Sequence, residues 1–126
     1  MHSEKFTNLS KQMYKMVDLS FLEKFTKGNK RKMKRYINLY LSSAPETFRN
    51  IERHLQSGNW EQLRIQAHSL KPQADYVGIE SLKTTLIEME DAVKNSEYEL
   101  LPFLFDRARG IHAEAEFPLK GFLGEL

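Results

Sequence analysis

A histidine and a lysine one helical turn apart form the arrangement in this sequence that is best suited to chemistry. His68 and Lys71 lie in the stretch from Ala67 to Gly78, and on a helix a spacing of three residues puts two side chains on the same face. The imidazole is a nucleophile, and the lysine ammonium could stabilise an anionic group attached to it through a charge-assisted contact. The pair is therefore suited to hold a phosphoryl group.

A carboxylate on the next helix could orient this imidazole. Gly78 predicts a turn, and counting onward by the ten residues that separate it from His68 leads to the stretch from Glu88 to Glu90. Met89 belongs to the apolar face of that helix, and Glu90 flanks it. Glu90 could accept a hydrogen bond from one ring nitrogen of His68, which would fix the tautomer, leave the other nitrogen free to attack and make the imidazole more basic. The alternative is a solvated helix carboxylate.

The surface around His68 combines polar and apolar side chains at helical spacing. One stripe continues the line of His68 and Lys71 and is charged, whereas the stripe beside it is partly apolar and suited to docking a partner helix. The alternative for the apolar stripe is packing against neighbouring helices of the same chain. The predicted docking residues are Arg64, Ile65, Pro72, Asp75 and Tyr76.

Pro72 stands one turn after His68 and interrupts the row of backbone donors. It has no N–H for the carbonyl group of His68, and its ring crowds that carbonyl. We therefore expect a kink or a lost hydrogen bond beside the histidine, which would affect either the regularity of the helix or its fit to a partner.

Helices must position these side chains, because apolar residues recur at steps of three and four over most of the chain. Gly28, Gly58 and Gly78 separate the segments and are typical of helix ends followed by short turns, so neighbouring helices should run antiparallel. No stretch alternates with a period of two. The sequence therefore predicts an all-α, up-and-down antiparallel four-helix bundle with a short additional N-terminal helix. The four long segments are 29 to 57, 59 to 77, 79 to 95 and from 101 onwards.

The ends of these helices are predicted from capping residues and prolines. Asp18 is expected to cap the short N-terminal helix, and Asn29 and Asn59 are expected to cap the first two long ones. Pro45 should kink the first long helix without ending it, whereas Pro118 should mark the end of the last helix.

Composition limits the classes of protein that this chain fits. With 126 residues, 40% of them hydrophobic, and a formal net charge of +2, it has the size and balance of a single globular domain over residues 1–126. It has no cysteine, which excludes disulfides and thiolate chemistry. The N-terminus has no apolar signal core, and the longest apolar stretch is far below the roughly 18 residues of a membrane span. We therefore expect a cytoplasmic protein.

Other histidines and charged residues have structural explanations. His2, His54 and His112 are expected to be solvated or hydrogen-bonded structural residues. The basic cluster from Lys27 to Arg35 lacks interleaved aromatic residues, so a solvated helix start that steers an acidic partner is favoured over nucleic-acid binding. No convergent set of ligands predicts a metal site, and no nucleophile, base and oxyanion donor occur together.

The residues around His68 resemble the signature of histidine-containing phosphotransfer (HPt) domains. The segments 18–22, 40–45 and 55–60 also look like the helices that precede the signature in that family, so the resemblance covers roughly residues 17 to 95. Positions 72 and 73 differ, since most members have Gly and then Ser there. The signature reads Ala67-His68-x-Leu70-Lys71, with Gly78 ten residues after the histidine.

The resemblance implies a monomeric helical bundle that carries a phosphoryl group stoichiometrically between receiver domains of hybrid histidine kinases and response regulators. It implies that His68 is the phospho-acceptor, that Lys71 supports the phosphoryl group, and that Glu90 lies where family members often have a hydrogen-bonding Gln or Glu. It implies no cofactor of the protein's own, with Mg²⁺ on the partner receiver only. The alternative is a docking module of the same fold that carries no phosphate, which Pro72 would favour.

Overall fold

The computed structural model describes residues 16–126, and within this range the chain is helical and contains no strand. Its helices are α1 (Ser20–Phe25), α2 (Lys30–Ser57), α3 (Trp60–Tyr76), α4 (Glu80–Lys94) and α5 (Leu101–Glu125), with a 3-10 turn at Tyr98–Leu100 before α5. The four long helices form an up-and-down bundle in which α3 packs between α2 and α4, and α5 closes the bundle against α4 and α2. This confirms the predicted all-α four-helix bundle with a short helix in front.

The core consists of the apolar faces that the three-and-four spacing predicted. All four long helices contribute to one buried cluster, in which Tyr40 is among the largest fully buried side chains. Burial of each large aliphatic side chain stabilises the fold by roughly 2 kcal/mol, so α3 and α4 are firmly held on their inner faces. Fully buried members on α2, α3 and α4 include Ile37, Ile51, Leu63, Leu70, Leu82, Leu86 and Met89.

The helix starts agree only in part with the predicted caps. Asn29 caps α2, because its Oδ1 accepts the N–H of Lys32 over 3.0 Å. Asn59 makes no such bond before α3, and its backbone (φ −87°, ψ 73°) lies outside the extended region typical of N-caps. Asp18 lies one residue before the N-cap position of α1, yet its Oδ1 accepts the N–H of Ser20 over 2.9 Å. Asp18 therefore still satisfies a backbone donor of the first turn.

Pro118 lies inside α5, so the prediction that it ends the last helix was wrong. The helix continues to Glu125, and the ring of Pro118 is buried together with Leu119 and Phe122. A proline in a helix interior costs about 3 kcal/mol, and burial of two large apolar side chains offsets this at roughly 2 kcal/mol each. Pro45 lies inside α2, which continues through it as predicted.

Two predictions fall outside the described residues, namely the start of the domain at residue 1 and the structural role of His2. In the part of the chain that the structure describes, no helix combines the length and the apolar character needed to cross a membrane.

Candidate functional site

His68 lies on α3 and faces solvent. Ala67 and Leu70 are completely buried in the core, which turns the two residues between them, His68 and Ser69, outward. The side chain of His68 is 63% exposed. A partner protein can therefore reach the imidazole without any rearrangement of the bundle.

Glu90 on α4 holds one nitrogen of this ring. Its Oε2 lies 3.0 Å from Nδ1 of His68, and only 6% of the Glu90 side chain is exposed. An ionised carboxylate can only accept hydrogen bonds, so Nδ1 has the hydrogen and donates it. In the neutral ring Nε2 then has the lone pair, and no group within residues 16–126 forms a hydrogen bond with it. The structure thus brings His68 together with a carboxylate of the stretch 88–90, to which counting from Gly78 had led.

Lys71 contacts the same carboxylate. Its Nζ lies 2.5 Å from Oε1 of Glu90, and its side chain is three-quarters buried. From the sequence we expected only that the lysine lies beside the imidazole, whereas the structure pairs its ammonium with the group that holds the ring. These three residues form one connected unit, which we call the His–Glu–Lys cluster.

Opposing influences act on the pKa of Glu90. Burial alone raises this pKa because the charged form loses its water, but the hydrogen bonds and charges of Lys71 and His68 outweigh burial and hold the pKa below its ordinary value. Glu90 is therefore ionised at neutral pH. The pKa of Arg64 is raised, mainly by its hydrogen bond to Glu61 and to a smaller extent by the charge of Glu90.

The position of Glu90 on α4 explains its burial. The neighbouring Met89 and Val93 lie in the core, so Glu90 sits at the edge of the apolar face where α4 packs against α3. Glu88 instead turns toward α5, where its Oε2 lies 2.5 Å from Nη2 of Arg107. Of the carboxylates that counting had left open, only Glu90 faces the histidine.

Pro72 does not interrupt the helix that presents His68. The proline is exposed, and α3 remains helical through it and beyond. The local effect of Pro72 is that it has no N–H to donate to the carbonyl of His68. Gln73, the other departure from the family pattern, accepts a hydrogen bond of 2.9 Å from the hydroxyl of Ser43 on α2.

Part of the apolar stripe beside His68 is accessible for docking, and part of it packs against neighbouring helices of the same chain. Ile65 is 43% exposed, and Pro72 is also exposed, so both are accessible to a partner. Tyr76 is half-buried and packs inside the chain, with ring centroids 4.8 Å from Tyr36 and 5.3 Å from Phe25. The accessible part of the stripe therefore lies close to the histidine, and the packed part lies two turns away.

The charged stripe is paired with neighbouring side chains. Arg64 forms an ion pair of 2.5 Å with Glu61 on the same helix. Asp75 pairs with Lys83 of α4 over 3.2 Å. Both pairs are partly exposed, and surface pairs of this kind contribute little to stability. A partner could therefore replace them at low cost.

An exposed aromatic patch lies at the end of this surface, and the sequence had not indicated it. Phe21 and Phe25 are about half exposed and stack at 5.9 Å, and both also contact Tyr76. Together with Tyr36 these residues form what we call the aromatic patch. The sequence did contain a signal for this patch. Phe21 and Phe25 are four residues apart, which puts them on one face of a helix that is too short to bury both.

The remaining charged groups lie elsewhere on the bundle. His112 is buried on α5 and hydrogen-bonded to the hydroxyl of Tyr40 over 2.8 Å. Burial lowers the pKa of His112, against the opposing charge of Glu116. His54 is half-buried on α2, and the basic cluster is exposed around its first turns. Among residues 16–126, no three His, Asp or Glu side chains are grouped closely enough to hold a metal ion.

Comparison with known proteins gives two matches. The family model described as the Hpt domain matches residues 35–116, from α2 into α5. The fold is similar to that of the crystal structure of histidine-containing phosphotransfer protein B (HptB) from Pseudomonas aeruginosa PAO1, with a TM-score of 0.82 over 90% of this chain and 98% of that chain. The two sequences are 19% identical, so this likeness shows the fold alone. A search of curated proteins gave no match.

Proposed function

Because the chain belongs to the Hpt domain family, whose members are histidine phosphocarriers of phosphorelays rather than turnover enzymes, we propose that His68 accepts a phosphoryl group from a receiver aspartate and passes it to a second receiver. The observation that best supports this role is the exposed ring of His68, with Nδ1 held by Glu90 and Nε2 without a partner in the described part of the chain. The protein would act stoichiometrically, with one phosphoryl group for each chain.

In-line transfer to this nitrogen requires little chemistry from the carrier. The lone pair of Nε2 attacks the phosphorus of the aspartyl phosphate, the N–P bond forms, the acyl P–O bond breaks, and the aspartate leaves as a carboxylate. The second transfer is the same step in reverse with another receiver. Such a reaction depends mainly on positioning and charge neutralisation. The well-packed α3 provides the position of His68, and Glu90 provides the orientation of its ring.

Lys71 and the partner receiver would neutralise the negative charge of the transferred phosphoryl group. The ammonium of Lys71 is tethered within the His–Glu–Lys cluster, from which its flexible stem can reach a phosphoryl group on the ring. We propose that the protein needs no cofactor of its own, because the Mg²⁺ used in the transfer would be bound by the receiver domain.

Receiver domains are proposed to dock on the face that surrounds His68. Ile65 and Pro72 provide its accessible apolar contacts, and the aromatic patch extends it toward α1. The charged side chains of Arg64 and Asp75 lie on the same side of α3 as the ring, one turn before it and two turns after it. The basic cluster lies next to the aromatic patch in sequence and would steer an acidic partner toward this face. A monomer suffices for this arrangement.

A phosphotransfer assay with matched histidine variants tests this function. The protein is mixed with a phosphorylated receiver, and label that is acid-labile but alkali-stable is measured on the carrier. We expect label on the wild type and on His54→Gln, because His54 lies on α2 outside the His–Glu–Lys cluster. We expect none on His68→Gln.

Other outcomes of the same assay separate the alternatives. Label that persists in His68→Gln would disprove the assignment of the acceptor. A wild-type protein that binds several phosphorylated receivers and takes no label from any of them would identify a docking module instead. Nucleic-acid binding that weakens steeply with salt and survives His68→Gln would instead identify a nucleic-acid binder that uses the basic cluster.

A further inference from the structure

The carboxylate of Glu90 serves two partners at once. Its Oε2 accepts the hydrogen bond from Nδ1 of His68 at 3.0 Å, while its Oε1 lies 2.5 Å from Nζ of Lys71. The ring that attacks phosphorus must be neutral, because Nε2 needs its lone pair, and in that form Lys71 is the only cation within residues 16–126 in direct contact with this buried carboxylate. Any new positive charge on the ring would change that balance.

Phosphorylation creates such a charge. When Nε2 of a ring that is protonated at Nδ1 forms the N–P bond, its lone pair is used and the ring becomes an imidazolium. The phosphoryl group then has two negative charges, and the proton remains on Nδ1. As long as that proton stays, the ring can leave phosphorus as a neutral imidazole. Once the proton is lost, the ring would have to leave as an anion, and the N–P bond is harder to break.

Building on the proposed phosphotransfer function, we propose that Glu90 retains the proton on Nδ1 of phosphorylated His68 and at the same time releases Lys71 to the phosphoryl group. The carboxylate then faces an imidazolium in place of the lysine ammonium. The released ammonium faces the two negative charges that have arrived on the ring. Glu90 thereby keeps the phosphoryl group in its transferable form, and Lys71 stabilises the group while it is held.

The burial of Glu90 supports this exchange. Charges interact more strongly in a poorly hydrated environment than in water, and only 6% of the Glu90 side chain is exposed. The pKa of Glu90 is held below its ordinary value by Lys71 and His68 despite the opposing effect of burial. The carboxylate is therefore a charged acceptor that does not take the proton itself at neutral pH.

Few other charges bear on this proton. On α3, Arg64 is the other cation whose charge acts on Glu90, and it is engaged by Glu61 at 2.5 Å. From α2 and α5, no ion pair or hydrogen bond reaches His68 or Glu90 in the described range 16–126. The proton balance of the phosphorylated ring thus depends chiefly on the His–Glu–Lys cluster.

A titration of the phosphorylated ring tests the proposal. His68 is loaded with phosphoramidate, a small phosphoryl donor that needs no receiver, and the pH at which Nδ1 titrates is followed by ¹⁵N NMR. The wild type and Glu88→Gln should titrate about one pH unit or more above Glu90→Gln, because only Glu90→Gln removes the carboxylate at Nδ1. Glu88→Gln is the matched control, since it makes the same change on the same helix. Phosphohistidine hydrolysis near neutral pH should also be slower in Glu90→Gln.

A second measurement tests the release of Lys71 to the phosphoryl group. ³¹P NMR of the same samples follows the last protonation of the phosphoryl group, and its pKa should rise in Lys71→Met because a neighbouring cation is lost. An unchanged phosphoryl pKa would overturn the release of Lys71.

The outcomes distinguish this proposal from the phosphotransfer function on which it rests. Equal Nδ1 titrations in all three proteins, with receiver transfer intact, would overturn the role of Glu90 alone. Different titrations without any transfer from receivers would contradict the phosphotransfer function and leave the proton-holding role in place. A folded wild type in which neither phosphoramidate nor a phosphorylated receiver labels His68 would overturn both.

Discussion

The backbone N–H of Asp18 donates a hydrogen bond of 3.0 Å to the carbonyl oxygen of Gly78. Gly78 has a φ of 70° in the turn between α3 and α4, and a Cβ atom at this position would lie 1.6 Å from the carbonyl oxygen of Asp18. Only glycine allows both the left-handed backbone and this close approach. The contact fastens the segment before α1 to the turn that sets the register between His68 and Glu90.

Replacing this glycine should therefore destabilise the bundle strongly. Gly78→Ala should lower the free energy of unfolding by about 3 kcal/mol or more, because a backbone clash adds to the left-handed strain. Gly58→Ala is the matched control, since Gly58 has a φ of 69° but its added Cβ would have no neighbour nearer than 3.7 Å. It should cost only about 1 to 2 kcal/mol. Equal losses in denaturant unfolding would contradict the account of this contact.

The charge of Glu90 should give stability a defined dependence on pH. Its pKa in the folded state lies below the ordinary 4.5, so on acidification the unfolded chain takes up this proton first. The stabilising contribution is fully present above pH 4.5 and is lost as the pH falls through the lower folded-state pKa. The free energy of unfolding should therefore decline less steeply below pH 4.5 in Glu90→Gln than in the wild type. Parallel declines would show that Glu90 is not held in its charged form.

His112 should produce a second decline at higher pH. Burial depresses its pKa below the ordinary 6.5, so the unfolded chain binds more protons than the folded chain between the two values. Its contribution is complete above pH 6.5 and is lost as the pH falls from 6.5 toward the depressed pKa. His112→Gln should flatten this part of the stability curve, whereas His54→Gln should retain it. Urea titrations at closely spaced pH values provide the measurement.

Docking should depend on the apolar surface next to the histidine. Ile65→Glu should weaken the binding of a receiver domain by about tenfold, because it places a charge in the contact surface without changing the core. Leu100→Glu is the control, as Leu100 is equally exposed at 43% but lies in the 3-10 turn before α5. Calorimetric titration of both variants checks the prediction, and equal weakening would place the docking surface elsewhere.

Sequence patterns predicted the site as far as regular geometry determines it. Helical periodicity and a turn at Gly78 suffice to bring residue 68 opposite the stretch 88–90, because both helices have the same rise per residue. The core faces follow from the same periodicity. These features depend on local spacing and on the burial of apolar side chains, and both can be read from one sequence.

Features that depend on a balance of larger interactions could not be predicted in this way. Counting could not show that Glu90 is buried or that Lys71 shares its carboxylate, because both depend on how closely α3 and α4 pack. Pro118 was wrongly predicted to end the last helix, because burial of Leu119 and Phe122 outweighs the tendency of proline to break a helix. The packing of Tyr76 depends on α1, whose position relative to α3 has no signature in the sequence.

The most direct test of the account is to identify the phosphorylated atom after transfer from a receiver. The hydrogen bond between Glu90 and Nδ1 of His68 leaves Nε2 as the nucleophile. ¹⁵N and ³¹P NMR of the labelled carrier should therefore show a single phosphoryl group bonded to Nε2 of His68. A phosphoryl group on Nδ1, or on any residue other than His68, would contradict the central claim.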